Sequence, residues 1–250
     1  MCHNKTMKRL AASSQNFLRS PRLVESLVSR SNLTPHDTVY DLGAGSGVIS
    51  SVLAKHVARV VAVEYDERLM ETLHHNLEKY PNVTIRQANI VTMPLPRTPY
   101  KVFANIPFHL SSQIVQRFIN SPTSPEAAYL IVQRQFGRKL IATDTTHFTS
   151  QLGMIIGAEY KARIIKSLNR TDFWPHPAVD TVCLELVKRK QPLVPKTRLR
   201  AYKQFTTDCF NDPKVLSKMP LEVIGQKSGA SPSRLSLDQW IILFEHQRHY

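Results

Sequence analysis

The chain has 250 residues, of which 33 are Lys or Arg and 19 are Asp or Glu, for a formal net charge of +14. Hydrophobic residues make up 42% of it, which excludes global disorder, and no apolar run approaches the roughly 18 residues of a membrane span. The three scattered cysteines exclude a disulfide framework and a cysteine-rich zinc site. No apolar stretch follows the basic N-terminus, so we expect a cytoplasmic protein without a secretory signal. A basic excess of this size favours a nucleic-acid partner, because Lys and Arg neutralise phosphate groups.

Short β-rich segments alternate with helical patterns over the first two thirds of the chain. The predicted strands are residues 39–42, 59–63, 83–85, 101–104, 127–132 and 179–187, and the predicted helices between them include 48–55 and 69–77. This alternation predicts an α/β fold, with a mainly parallel sheet between two layers of helices. Such sheets bind ligands at the carboxyl ends of their strands, so the turns after Asp41, Val63 and Ala104 are the candidate sites.

The pattern changes after the last predicted strand. Residues 188–195 are basic and contain two prolines, which is typical of a linker. Residues 197–210 and 236–246 have helical patterns. We therefore predict a first domain over residues 1–188 and a small all-helical domain over residues 189–250.

A glycine-rich turn, Asp41-Leu42-Gly43-Ala44-Gly45-Ser46-Gly47, follows the first of these strands. Glycines let the backbone approach a ligand closely, and the next helix offers a positive N-terminus. A dinucleotide fingerprint would have its third glycine at position 48, whereas here it comes one residue earlier. Glu64 ends the second strand, where a carboxylate can accept both hydrogen bonds of a ribose diol. The combination favours an S-adenosylmethionine site over a nicotinamide site.

The segment Asn105-Ile106-Pro107-Phe108 follows the fourth strand. The amine of adenine is a poor nucleophile, because its lone pair is delocalised into the ring. An asparagine oxygen and a backbone carbonyl can each accept one N–H and so aim that lone pair at a methyl group. Proline stiffens such a loop, and the aromatic ring offers a face for an extracted base. Catalysis would then depend on positioning, without a metal or a covalent nucleophile.

These segments together resemble the rRNA adenine N6-methyltransferases, which include the Erm and KsgA/Dim1 enzymes. Ser14 to Leu18 is similar to the family's N-terminal motif, and Phe173 to Thr181 is similar to its late Phe-x-Pro-x-Pro-x-Val-Asp-Ser motif. The resemblance implies a Rossmann-like methyltransferase domain and an RNA-binding helical domain. The catalytic residues that we predict are Asn105, Ile106, Pro107, Phe108 and Phe173, with Phe108 and Phe173 sandwiching the target adenine. The cofactor residues that we predict are Gln15, Asn16, Leu18, Gly43, Gly45, Glu64, Asn89, Ile90 and Asn105.

One position departs from the family pattern. Asn89 stands where the family usually has an aspartate that accepts a hydrogen bond from the adenine amine of the cofactor. An amide oxygen can accept the same bond, but a charged acceptor bonds about twice as strongly. Weaker cofactor affinity is therefore an expectation. We predict no metal site, and we interpret Trp174 and Trp240 as packing residues.

The resemblance to the Erm branch is the greater of the two. The catalytic loop contains His109-Leu110 where the KsgA/Dim1 branch has Asn-Ile. The C-terminal part lacks the Asn-Gln-Arg-Arg-Lys stretch of that branch. Residues 235–240 are similar to the C-terminal end of Erm enzymes. We therefore expect a monomer that methylates naked or partly assembled 23S rRNA and confers macrolide, lincosamide and streptogramin B resistance.

Three alternatives remain: a KsgA/Dim1-type enzyme of the small subunit, a non-catalytic nucleic-acid-binding relative, and a DNA adenine methyltransferase. Intact Asn105 and loop glycines favour an enzyme. Ile106 stands where DNA enzymes usually have proline, which favours RNA.

Overall fold

A computed structural model describes residues 16–141, 148–227 and 229–247. Its nine strands in these residues are β1 (Phe17–Leu18), β2 (Thr38–Leu42), β3 (Arg59–Glu64), β4 (Val83–Gln87), β5 (Lys101–Asn105), β6 (Ala127–Gln133), β7 (Tyr160–Leu168), β8 (Phe173–Trp174) and β9 (Thr181–Lys188). Its nine α-helices there are α1 (Pro21–Val28), α2 (Val48–Leu53), α3 (Glu67–Leu77), α4 (Ser111–Asn120), α5 (Arg134–Leu140), α6 (Gln151–Glu159), α7 (Leu199–Asn211), α8 (Pro213–Ser217) and α9 (Leu237–His246).

Local sequence signals explain where several helices begin. The Ser20 hydroxyl accepts the Leu23 N–H before α1, and Pro21 occupies the first helical position, where its missing N–H costs no hydrogen bond. Ser236 and Gln239 form a reciprocal capping box at the start of α9. These caps fix the helix starts independently of the tertiary fold.

Seven strands form one sheet in the order β4-β3-β2-β5-β6-β9-β7. The pairs β4–β3, β3–β2, β2–β5 and β5–β6 are parallel. The chain runs outward from β2 to β3 and β4, and β5 then pairs with the other edge of β2. The order of the strands therefore reverses at β2, with β3 and β4 on one side of it and β5 and β6 on the other. In α/β sheets, ligands bind at the carboxyl ends of the strands beside such a reversal, the switch point of the sheet.

The predicted Rossmann-like α/β fold is confirmed, and the six predicted strands correspond to β2, β3, β4, β5, β6 and β9. No strand was predicted for residues 160–168, which form β7. This strand is the last in the sheet order; its end residues Tyr160 and Leu168 are buried, and the residues between them, which include Lys161, Arg163 and Lys166, are exposed or half-buried. An edge strand can carry such charges because one edge faces away from the other strands, and the charges hid it in the sequence.

The chain divides into two compact units, Met1–Arg134 with Ile164–Glu185 and Gln135–Arg163 with Leu186–Tyr250. The predicted boundary at residues 188 and 189 does not coincide with this division, because residues 135–163 belong to the second unit. The described residues after β9 form helices and no strand, as expected. Their core contains Trp240, which is fully buried as predicted and stacks on Phe210 with ring centroids 5.3 Å apart.

Candidate active site

The glycine loop turns back over the end of β3. Gly43, Gly45 and Gly47 have φ angles of 81°, 59° and 87°, which lie in the left-handed region that residues with a Cβ rarely adopt. The N–H groups of Gly43 and Ala44 both donate to the carbonyl of Val63, at 2.8 and 2.9 Å. The loop between β2 and α2 is therefore fixed against the neighbouring strand, and a Cβ at Gly45 would meet Phe17 while one at Gly47 would meet Leu73 and Leu77.

Glu64 is buried at the carboxyl end of β3 and holds this loop in place. Its Oε2 accepts the Gly45 N–H at 2.8 Å, and its Oε1 accepts the N–H groups of Tyr65 and Asp66 at 2.7 and 2.9 Å. A carboxylate has about four acceptor positions. Three are engaged by backbone N–H groups, so one remains for a ribose hydroxyl. The second bond of the predicted bidentate contact would require one backbone bond to be given up.

Asp41 lies inside the sheet, immediately before the glycine loop. The Ser50 hydroxyl donates to its Oδ2 at 2.7 Å, and its Oδ1 has no hydrogen-bond partner among the described residues. Burial, together with the nearby Glu64 charge, raises the pKa of Asp41 to about 7. The neutral carboxyl is therefore favoured below about pH 7. Its hydrogen bond from Ser50 joins the end of β2 to α2, on either side of the glycine loop.

Asn105 ends β5, beside the end of β2. Its Nδ2 donates to the carbonyl of Asn16 at 2.6 Å, which uses the donor end of the amide and not its oxygen. The amide oxygen is thus the part of this side chain that can accept an N–H from a substrate. Ile106 is almost fully buried, and it lines a cavity together with Pro107 and Phe108.

That cavity has a volume of about 40 Å³ and lies at the carboxyl ends of β2, β3 and β5. Around it lie Phe17, which was not predicted, and seven residues that were predicted as site residues: Asn16, Gly43, Glu64, Asn105, Ile106, Pro107 and Phe108. An adjoining cavity of about 20 Å³ is lined by Leu18 and Gly45, among others. The ends of β2, β3 and β5 and the segment around β1 thus bring most of the predicted residues together.

These residues fit S-adenosylmethionine. The buried Glu64 carboxylate can accept a ribose hydroxyl. An added Cβ on Gly43 would have only the Asn105 carbonyl oxygen near it, at 3.9 Å, so the loop leaves room for a ligand. The amide side chains of Asn16 and Asn105 suit the charged amino-acid end of the molecule.

Asn89 and Ile90 do not line either cavity. The Ala88 N–H donates to the Glu64 carbonyl at 2.9 Å, which brings this segment beside the end of β3. The Asn89 Oδ1 accepts the Val91 N–H at 2.8 Å, so this oxygen is already hydrogen-bonded within its own turn. Ile90 is buried, and its carbonyl, like that of Met93, accepts a hydrogen bond from the Arg117 guanidinium of α4. Their predicted cofactor contacts stay predictions.

Phe173 is fully buried and lines neither cavity, whereas Phe108 lines the larger one. The sandwich of the target adenine between the two rings requires Phe173 to become accessible, and it stays a prediction. Gln15 lies outside the described residues.

Two aromatic residues at the site were not predicted. Phe17 lines both cavities, and its position inside the N-terminal motif was the available signal. Tyr65 follows Glu64 directly and is 69% exposed. An aromatic residue directly after the predicted ribose-binding acid is a signal for a ring that can cover a nucleoside, although Tyr65 lines neither cavity.

Among residues 16–141, 148–227 and 229–247, no three His, Cys, Asp or Glu side chains are arranged to hold a metal ion. Within the same ranges, no helix has both the length and the apolar character needed to cross a membrane.

Comparison with known proteins agrees with this geometry. Residues 7–227 match the family model described as ribosomal RNA adenine dimethylase. An rRNA adenine N-6-methyltransferase of Saccharopolyspora erythraea is 28% identical over 92% of this chain, which spans 63% of that relative's length. The ribosomal RNA small subunit methyltransferase A of Levilactobacillus brevis is 28% identical over 92% of this chain and 86% of its own.

The fold also superposes on the crystal structure of the 23S rRNA methyltransferase ErmE. The TM-score is 0.82 at 27% identity, over 92% of this chain and 99% of that chain. The family match covers most of the sequence, and the residues that it would need for its cofactor meet at the switch point of the sheet. The chain therefore belongs to the ribosomal RNA adenine dimethylase family, whose members are rRNA adenine N6-methyltransferases that use S-adenosylmethionine.

Proposed function

We propose that this protein is an Erm-type enzyme, active as a monomer in the cytoplasm, that methylates N6 of one adenine in 23S rRNA. The observation that carries the proposal is the likeness to ErmE, with a TM-score of 0.82 over 99% of that chain. The Erm-like features of the catalytic loop and of residues 235–240 support the same branch. Methyl groups on such an adenine would add bulk and remove hydrogen-bond donors where macrolide, lincosamide and streptogramin B drugs bind, so resistance should follow.

The chemistry of the site is suited to an exocyclic amine. S-adenosylmethionine, when bound, supplies an electrophilic methyl group. The Asn105 oxygen accepts one N–H of the target amine, and a backbone carbonyl of the loop accepts the other. These two bonds localise the lone pair on nitrogen and direct it, while the Phe108 ring supports the base. The product proton can leave to water, so no side-chain base is needed, and positioning carries the catalysis.

The RNA side of the proposal depends on charge and on extraction of the base. A net charge of +14 provides the phosphate contacts that fix the protein on RNA. Proteins read RNA sequence mainly in single-stranded elements, where a base can be turned out and stacked on an aromatic ring. An unpaired adenine is therefore the expected target.

The decisive measurement is methyl transfer from labelled S-adenosylmethionine to naked 23S rRNA and, in parallel, to small-subunit particles that contain 16S rRNA. We expect label in 23S rRNA at a single adenine and none in the small subunit. Expression in a drug-sensitive bacterium should raise the inhibitory concentration of a macrolide. The Asn105→Ala variant is the matched control, because it should bind RNA without transferring the methyl group.

A second candidate is small-subunit rRNA methylation, and the 28% identity with the Levilactobacillus brevis enzyme favours it. Label confined to small-subunit particles would establish this candidate and contradict the first. No label in either RNA would favour the non-catalytic alternative.

A further inference from the structure

Trp174 is exposed, so the expectation that it is a packing residue is wrong. Its side chain is 41% exposed, although the preceding residue, Phe173, is fully buried. In the antiparallel ribbon of β1 and β8, Trp174 pairs with Phe17. Directly opposed residues of an antiparallel pair have side chains on the same face of the ribbon. Phe17 lines the cavity that contains Asn105 and Phe108, and the Trp174 side chain leaves the same face of the ribbon about one strand spacing (~5 Å) away.

The ring is held in place by its surroundings. His176 packs edge-on against the indole, with ring centroids 5.8 Å apart, and its Nδ1 lies 2.8 Å from the Arg170 carbonyl oxygen. The Arg19 N–H donates to the Asp172 carbonyl at 2.9 Å and extends the ribbon by one further bond. An aromatic ring in a fixed position loses little conformational entropy when a ligand stacks on it.

The charges around the ribbon indicate what covers the indole. Arg19 directly follows β1, and Arg170 precedes β8. Both residues are exposed, and they lie at the end of the ribbon opposite Trp174. The combination of an exposed aromatic ring with nearby cations suits single-stranded nucleic acid, whose bases stack while its phosphates pair with the cations. The Arg170 guanidinium already lies 3.6 Å from the Asp180 carboxylate, so a phosphate group beside the ribbon would pair mainly with Arg19.

We propose that Trp174 is a stacking platform for an RNA nucleotide next to the target adenine. The target adenine itself occupies the cavity at Asn105 and Phe108, whereas Trp174 lies outside that cavity and on the same side. Trp174 thus contributes to RNA binding and not to the methyl-transfer step. This inference depends on the proposed RNA methylation but not on which rRNA is the substrate.

Tryptophan fluorescence tests the contact directly. The chain contains two tryptophans, and Trp240 is fully buried. Titration with a short adenine-containing single-stranded RNA should quench the emission of the wild-type protein, because stacking on a base quenches indole. The Trp174→Phe variant should retain only the Trp240 emission, without RNA-dependent quenching. Quenching that persists in this variant, or none in the wild type, would overturn the assignment.

Steady-state kinetics test the function of the contact. Stacking is worth about 1–3 kcal/mol per base, so Trp174→Leu should raise the KM for RNA roughly 5- to 150-fold. Its kcat and its affinity for S-adenosylmethionine should stay near the wild-type values, which also shows that the variant is folded. Trp174→Phe, which keeps a ring, should recover most of the RNA affinity.

Phe148→Leu provides a matched control. Phe148 is another exposed aromatic residue, in the second unit, and the Arg234 guanidinium covers its ring at 4.8 Å. An equal increase of KM in both Leu variants, or no increase in Trp174→Leu, would contradict a specific platform. If the wild type methylates small-subunit particles instead of 23S rRNA, the proposed function fails, but the same variants assayed on those particles still test Trp174.

Discussion

At the scale of single residues, the proposed function assigns Asn105 to holding the target amine. Its Nδ2 is bonded to the Asn16 carbonyl, which orients the amide. We expect Asn105→Ala to lower kcat about 100-fold or more with little change in RNA affinity, because the lost bond is strongest as the amine begins its attack. Single-turnover methyl transfer and RNA binding, measured separately, check this. Equal losses in both would make Asn105 a binding residue only.

Asp41 predicts a pH dependence of stability. Its pKa rises from 3.8 in the unfolded chain to about 7 in the folded protein, so the folded state binds the proton more tightly. Its contribution to the free energy of unfolding is complete below pH 4 and is lost as the pH rises to about 7. Asp41→Asn removes the titration, so the stability of this variant relative to the wild type should increase from pH 4 to pH 8, by up to about 4 kcal/mol. Denaturant unfolding at several pH values measures the difference.

Asp37→Asn is a control of opposite sign. Burial raises the pKa of Asp37, but the Lys101 ammonium at 2.8 Å and the Thr34 N–H together bring it below its ordinary value. This carboxylate stabilises the fold above pH 4, so its removal should cost stability at neutral pH and progressively less in acid. Parallel pH profiles for the two variants would contradict both assignments.

At the scale of elements, Gly153 allows α6 to approach the end of α5. A Cβ at this position would lie 2.3 Å from the Lys139 carbonyl oxygen, which also accepts the Ser150 hydroxyl at 2.9 Å. Backbone cannot yield as a flexible side chain does, so Gly153→Ala should lower the free energy of unfolding by about 1–3 kcal/mol or more. Gly225→Ala is the control, because it has a φ of +68° but no atom within 4 Å, and strain alone should cost about 1–2 kcal/mol. Thermal unfolding of both variants makes the comparison, and an unaffected Gly153→Ala would contradict the close approach.

A second element-scale contact joins α4 to the segment after β4. The Arg117 guanidinium donates to the carbonyls of Ile90 and Met93 and so fixes the turn that contains Asn89. Arg117→Ala should weaken S-adenosylmethionine binding about tenfold, equivalent to roughly one charge-assisted hydrogen bond, and leave RNA affinity unchanged. Calorimetric titration measures the first and a filter-binding assay the second. Unaltered cofactor affinity would show that the turn holds without Arg117.

At the scale of the whole molecule, positive charge is concentrated in the second unit. Its sequence contains 16 Lys or Arg and 7 Asp or Glu, a net +9 of the total +14. We expect the logarithm of RNA affinity to fall linearly with the logarithm of salt concentration, as counterion release requires. The double variant Lys196→Glu, Arg200→Glu should reduce both the affinity and the salt slope.

The control for this prediction reverses two equally exposed lysines elsewhere. Lys55 and Lys79 each follow a helix and precede a strand of the parallel sheet, so they lie at the edge opposite the cavity. Lys55→Glu, Lys79→Glu should affect RNA binding much less. Equal effects of the two double variants would mean that only net charge matters, and would contradict an RNA-binding role of the helical part.

The sequence by itself determined the elements whose signals are local. The buried β-branched run of β3, the positive-φ glycines after β2 and the order of the four family motifs were sufficient for the fold, the cofactor and most residues of the cavity. Helix caps and strand periodicity depend on neighbours within a few positions, so they can be read directly from the chain. The edge strand β7 was missed because its lysines and arginines interrupt the apolar pattern that indicates a strand.

Only the tertiary structure decided which side chains are exposed and which acceptors are engaged. Asn105 meets Asn16 across 89 positions, Glu64 accepts the Gly45 N–H across 19, and the β1–β8 pairing buries Phe173 while it exposes Trp174. Phe173 and Trp174 are adjacent in the sequence, which does not show that one ring is buried and the other exposed. Burial and hydrogen bonding depend on segments that are distant in the chain and are brought together when β5 pairs with β2, so the site's finer geometry arises only on folding.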